Sequence, residues 1–173
     1  MNRSYSLLLF CLLFPWPDAA QAASKTLQAD SKAFIVPVLE LRVSQQGAQE
    51  LSFGDIAPSG TGPTEAQPRT ILIEVTCNSG EKYQVTQALS GELKNAEGTT
   101  IPLSYLKFKT TAAKSTGHSV SDFTPVAPSA RTIFTSDDQG SSESISTLYQ
   151  LTIPPSQAPG DYSALLTYTV SSV

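Results

Sequence analysis

Arg69-Thr70-Ile71-Leu72-Ile73-Glu74-Val75-Thr76-Cys77 alternates along its length. Ile71, Ile73, Val75 and Cys77 fall on one side, and Thr70, Glu74 and Thr76 on the other. A two-residue period carried by β-branched side chains reads as a strand with one buried face. Asn78-Ser79-Gly80 follows as a tight turn, and Glu81–Leu89 returns with Tyr83 and Val85 on its apolar side. The pair reads as a β-hairpin. The same alternation aims the Cys77 thiol at the core.

Working outward, Phe34–Val43 reads as the first strand, in which Leu39, Leu41 and Val43 alternate with Glu40 and Arg42. Pro37 has no N–H for a ladder, which places this strand at an edge or at a bulge. Gln45-Gln46-Gly47 is a turn into Glu50–Ile56, where Leu51 and Phe53 share a side and Gly54 marks a bend. Residues 57–68 carry too many breakers for a regular element. Downstream come a short strand at Glu92–Lys94, a turn at Asn95–Gly98, and a strand over Thr100–Thr110. Residues 111–132, with Val120, Phe123 and Val126 as anchors, read as a long excursion between sheets. Thr132–Thr135 is a short strand and Ser136–Ser142 a polar turn. Ser144–Ile153 and Asp161–Val170 read as an antiparallel pair; Tyr162, Ala164, Leu166, Tyr168 and Val170 share one face of the second. No window shows a 3.6-residue apolar period. Roughly nine short strands at this spacing predict an all-β, two-sheet antiparallel sandwich with Greek-key connections.

The N-terminus reads as a secretory leader. Arg3 precedes the apolar run Leu7–Phe14, and Pro15 and Pro17 come before the small-x-small site Ala20-Gln21-Ala22. The run is shorter than the ~20 residues a spanning helix needs. The reading is therefore a signal peptide at 1–22, an N-terminal extension at 23–33, and a β-sandwich domain at 34–173 in the periplasm or at the cell surface, with no membrane span in the mature chain. Acidic residues outnumber basic ones, for a net charge of −4, and the basic residues form no stripe. Nucleic acid is excluded as a partner on that ground, since phosphate binding relies on clustered Lys and Arg. Cys11 leaves with the leader, so Cys77 remains as the lone mature thiol and has no intramolecular disulfide partner. A core thiol and an intermolecular bridge are the two readings of it.

Converging chemical groups are scarce. The single histidine, His118, sits in a polar Ser/Thr stretch with no specified triad partner. Cys77 has apolar same-face neighbours, which do not make a reactive thiolate. One His and one Cys do not make a zinc centre. Asp137, Asp138 and Glu143 lack the alternating ligand spacing of a calcium loop. The chain reads as a non-enzyme with no catalytic residues, no cofactor and no metal site.

Three motifs, in order, resemble bacterial surface-fibre subunits. Leu51-Ser-Phe-Gly-Asp-Ile56 is similar to the Leu-x-Phe-Gly strand of the spore coat protein U family and the archaic chaperone–usher pilins. Ile73-Glu-Val-Thr-Cys77 resembles their Val-x-Val-x-Cys strand, and Ala158–Val170 their closing Gly-x-Tyr-x-x-x-Leu-x-Val-x-Val strand. The resemblance implies an immunoglobulin-like sandwich left one strand short, completed by an extended segment of a neighbouring subunit. It also implies a periplasmic chaperone, an outer-membrane usher, and other subunits of the same or related type as partners. The acceptor edge would be Tyr162, Ala164, Leu166, Tyr168 and Val170, and the donor segment Phe34, Val36 and Val38. The second cysteine that the family usually carries near its first strand has no counterpart in Phe34–Val43. The alternative is a self-contained exported module that binds envelope polysaccharide or protein through the 57–68 or 111–131 loop.

Overall fold

A computed structural model of the chain describes residues 32–44, 51–114 and 117–173. The leader expected at 1–22, nearly all of the extension expected at 23–33, and the turn expected at Gln45–Gly47 lie outside the described residues. The strands are β1 (Leu39–Ser44), β2 (Thr64–Glu65), β3 (Arg69–Cys77), β4 (Tyr83–Leu89), β5 (Leu93–Lys94) and β6 (Thr100–Ile101). They continue with β7 (Leu106–Ala112), β8 (His118–Ser119), β9 (Thr124–Pro125), β10 (Arg131–Thr135), β11 (Glu143–Ile153) and β12 (Leu166–Ser172). A single 3₁₀ turn, Leu103–Tyr105, is the only helical element among the described residues.

The fold is an all-β antiparallel sandwich. One sheet runs β1-β3-β11-β7-β9, with β2 against the far end of β11; the other runs β12-β4-β10-β8, and β5-β6 is a separate small ribbon. β3 has the bounds and the buried face expected of it, with Ile71, Ile73, Val75 and Cys77 inside. Its neighbours differ from the hairpin reading. β3 pairs with β1 and β11, whereas β4 pairs with β12 and β10, so the Asn78–Gly80 turn crosses between sheets. The pair expected from Ser144–Ile153 and Asp161–Val170 is likewise divided, β11 lying in one sheet and β12 in the other. In both cases each strand has an apolar face that needs an opposing layer. Facing one another across the core gives each apolar face an opposing layer, which pairing edge to edge in one sheet does not do.

Tyr83, Val85, Phe108, Ile145, Tyr149 and Ile73 fill the space between the layers. Tilted ring pairs, Tyr83 with Phe134 at 6.0 Å and Phe108 with Tyr149 at 6.1 Å between centroids, add aromatic contacts to that core. Ile133 and Phe134 are adjacent yet both buried, because a register shift between Thr132 and Phe134 turns the second side chain inward. The 111–132 excursion does pass between sheets. β8 bonds to β10 in one, and β9 bonds to β7 in the other.

Two further expectations are corrected. Phe34–Val38 is not part of the first strand, which begins at Leu39. Phe34 and Ile35 are 89% and 79% exposed, so neither side chain enters the core. Pro37 interrupts the donor row, and the Asn78 side chain takes over from the ladder. Its Oδ1 accepts from Val38 N at 2.5 Å, and its Nδ2 donates to Val36 O at 3.1 Å. Glu50–Ile56 forms no strand within its described residues. Gly54 takes φ +68°, and the backbone is held by Arg69, whose Nε donates to Ser52 O at 3.0 Å. Leu51 and Phe53 still pack against the core as expected.

Asn78→Ala removes both side-chain bonds to the 36–38 segment. Exposed hydrogen bonds contribute at the lower end of ~0.5–1.5 kcal/mol each. The expected loss is therefore about 1 kcal/mol, read as a lower urea midpoint with an unchanged slope, together with faster amide exchange at Val38.

Candidate functional site

The two sheets end on the same side of the sandwich in strands that are each paired once. Among the described residues, β1 bonds only to β3, and β12 only to β4. The two approach each other across the gap between the sheets. Elsewhere the inward rows of β3, β4, β7 and β11 are buried. Here Leu41 and Val43 of β1, and Leu166, Tyr168 and Val170 of β12, are only half-buried, although they pack on the core. An edge strand with apolar inward residues and an unpaired row of backbone groups is a template for another strand.

The five residues expected on the acceptor edge divide into two groups. Leu166, Tyr168 and Val170 lie on β12. Tyr162 and Ala164 precede it, on a stretch stitched to the β5-β6 ribbon by Ser163, which exchanges backbone hydrogen bonds with Lys94 at 3.0 and 3.2 Å. Tyr162 OH donates to Ala158 O at 2.8 Å and accepts from Gln157 Nε2 at 2.7 Å, which fixes the approach to β12. The residues expected to form a donor segment, Phe34, Val36 and Val38, are all exposed, at 89%, 61% and 38%.

Behind the edge, a buried polar tie joins the sheets. Tyr149 OH of β11 donates to Gln87 Oε1 of β4 at 2.5 Å and lies 2.6 Å from Tyr168 OH of β12. Because Gln87 Oε1 can only accept, the Tyr149 proton goes there and Tyr168 donates to Tyr149. The tie is not legible in the alternation, which marks Gln87 only by its inward position. Burial raises the Tyr149 and Tyr168 phenols well above the ordinary value. Tyr83 is raised too, by burial first and then by the nearby Glu143, Cys77 and Asp137.

For a phenol raised in the fold, stability is complete below the unfolded value near 10 and is lost as pH rises beyond it. Urea midpoints are therefore expected to stay level from about pH 7 to 9 and to fall above about pH 10. Tyr149→Phe should reduce that alkaline fall.

The remaining candidates do not converge. Cys77 is a free, buried thiol 3.2 Å from Ser79 Oγ, and its amide donates to Ser142 Oγ. His118 is exposed on β8, where its backbone pairs with Thr135, and its ring has no bond among the described residues. Asp137 spends its two oxygens on Ser141 N and Oγ, which hold its carboxyl below the usual range. Glu143 is buried rather than part of a solvated turn; its Oε1 accepts from Lys114 N and Ser144 N. No three His, Cys, Asp or Glu side chains among the described residues are placed to hold a metal ion. No helix among them is long and apolar enough to cross a membrane. The chain matches no protein-family model and none of the curated proteins.

Proposed function

We propose that the chain is an exported structural subunit of a fimbria-like surface fibre, which assembles by strand addition at the β1/β12 edge. The observation that carries this reading is the pair of singly bonded edge strands with half-exposed apolar rows. The exposed apolar arm Phe34–Val38 supplies the donor for another copy. A periplasmic chaperone would cover the edge before assembly, and an outer-membrane usher would pass subunits outward. The three ordered motifs at 51–56, 73–77 and 158–170 support the same reading.

The geometry adds one condition. Cα atoms of β1 and β12 come within 8 Å of each other, whereas a strand bonded on both sides spans two ladder spacings, roughly 9.6 Å. Insertion therefore spreads β1 away from β12. That close approach favours a second reading, in which the sandwich is closed and the protein is a self-contained binding module.

One experiment separates the two. Cells producing the full chain are fractionated, and the exported material is run unheated in SDS. A ladder of multimers that collapses to monomer on boiling is the expected result. A monodisperse, non-laddering monomer favours the closed module.

A further inference from the structure

A recess of about 370 Å³ lies at the Arg69 end of β3. Its volume falls within the range of small-ligand sites, ~300–1,000 Å³. One wall is the segment Phe53–Ala57 and the other is Thr64–Gln67, with Arg69 contributing from the start of β3. Both walls are held in place. On the second wall β2 pairs with Thr152 and Ile153, and Ala66 N donates to Leu151 O at 2.9 Å. Between the walls, Ser59 N donates to Thr64 Oγ1 and Ser59 Oγ donates to Gly62 O, so the loop between them closes on itself.

The lining mixes three kinds of group. Phe53 and Ile56 are half-buried and apolar, while Asp55, Glu65 and Gln67 are exposed polar groups. Arg69 is half-buried, and its Nε is committed to Ser52 O. Gly54 at φ +68° places its backbone over the guanidinium, so that a Cβ there would stand 4.0 Å from Nη2. Arg69 forms no ion pair among the described residues, and neither do Asp55 and Glu65. The carboxylates therefore remain available as acceptors, and the guanidinium keeps donors beyond Nε.

We infer that this recess is a binding site for a neutral sugar unit of a glycan. Two carboxylates oppose an anionic ligand, and a half-buried guanidinium opposes a cation. A ring with vicinal hydroxyls suits the set, since each hydroxyl both donates and accepts. Carboxylate and amide oxygens take its protons, the guanidinium and amide N–H groups donate to its oxygens, and Phe53 packs on its apolar C–H face. None of its lining residues lies on β1 or β12, so a subunit would carry it whether or not it assembles.

The test uses ¹⁵N-labelled protein titrated with the methyl glycosides of glucose, galactose, mannose and N-acetylglucosamine, and with glucuronate as the acidic comparison. At least one neutral glycoside is expected to shift the amides of Gly54, Asp55, Glu65 and Gln67 with a dissociation constant in the millimolar range. Asp55→Asn combined with Glu65→Gln, both on exposed side chains, should weaken it at least five-fold while the remaining spectrum stays in place. No shift with any neutral glycoside, shifts elsewhere on the protein, binding of glucuronate alone, or unchanged affinity in the double variant would each overturn the assignment.

Discussion

Tyr149→Ala is expected to lower the unfolding free energy by at least about 4 kcal/mol. Truncating a fully buried aromatic costs ~3–5 kcal/mol through lost burial and the cavity left behind. Tyr149 is such a residue, packed against Phe108. Its hydroxyl also serves Gln87 Oε1 and Tyr168 OH, and stranding buried polar groups costs ~1–3 kcal/mol more. Against a total of ~5–15 kcal/mol for a domain, that is a large fraction. Tyr149→Phe keeps the ring and removes only the tie, so it should lose about 1–3 kcal/mol. Urea denaturation of both variants separates the two contributions. If Tyr149→Phe proved as damaging as Tyr149→Ala, the ring packing would be the wrong explanation.

The second large effect concerns assembly rather than folding. Val170 faces inward on β12 but is only half-buried, so Val170→Lys leaves the isolated domain folded with its side chain reaching solvent. Covering that position with an inserted strand traps an unpaired charge, at a cost of ~3–5 kcal/mol. Association should weaken at least 100-fold, since ~1.4 kcal/mol is a factor of ten. The unheated ladder should then disappear, with the circular dichroism spectrum unchanged. Thr169→Lys, on the exposed face of the same strand, is the matched change expected to leave the ladder intact. A ladder that survives Val170→Lys removes β12 from the assembly interface.

Much of this fold is readable one strand at a time. The alternation in Arg69–Cys77 and Tyr83–Leu89 locates both strands and their buried faces, because period-two burial is a local property. It is silent about partners. An inward row of Ile71, Ile73 and Val75 is equally consistent with a neighbour alongside or a layer opposite, and here the layer opposite is where β4 sits. Asn78 carries the missing signal. An amide able to bond both to Val36 and to Val38 serves as a ladder rung where Pro37 leaves a gap. Glu143 escapes a sequence reading for a related reason. Its acidic neighbours suggest a solvated turn, but two backbone N–H groups at the sandwich end receive its carboxylate.

The proposed acceptor edge is half legible. Tyr162, Ala164, Leu166, Tyr168 and Val170 all turn toward the core, yet only the last three lie on β12, and Ser163 bonds to Lys94 in another ribbon. Side-chain period does not reveal where backbone groups pair. The recess at Phe53, Glu65 and Arg69 has only one sequence signal, a run of breakers between two anchored segments.

Amide hydrogen exchange along β12 is the most direct test of the proposed strand addition. In the isolated protein, the Leu166–Ser172 amides that point away from β4 should exchange rapidly while those of β4 and β11 remain protected. Adding excess synthetic peptide spanning residues 32–44 should protect the outward β12 amides and slow their exchange to the level of β4. Outward amides already protected in the monomer, and unchanged by the peptide, would contradict an edge that accepts a strand.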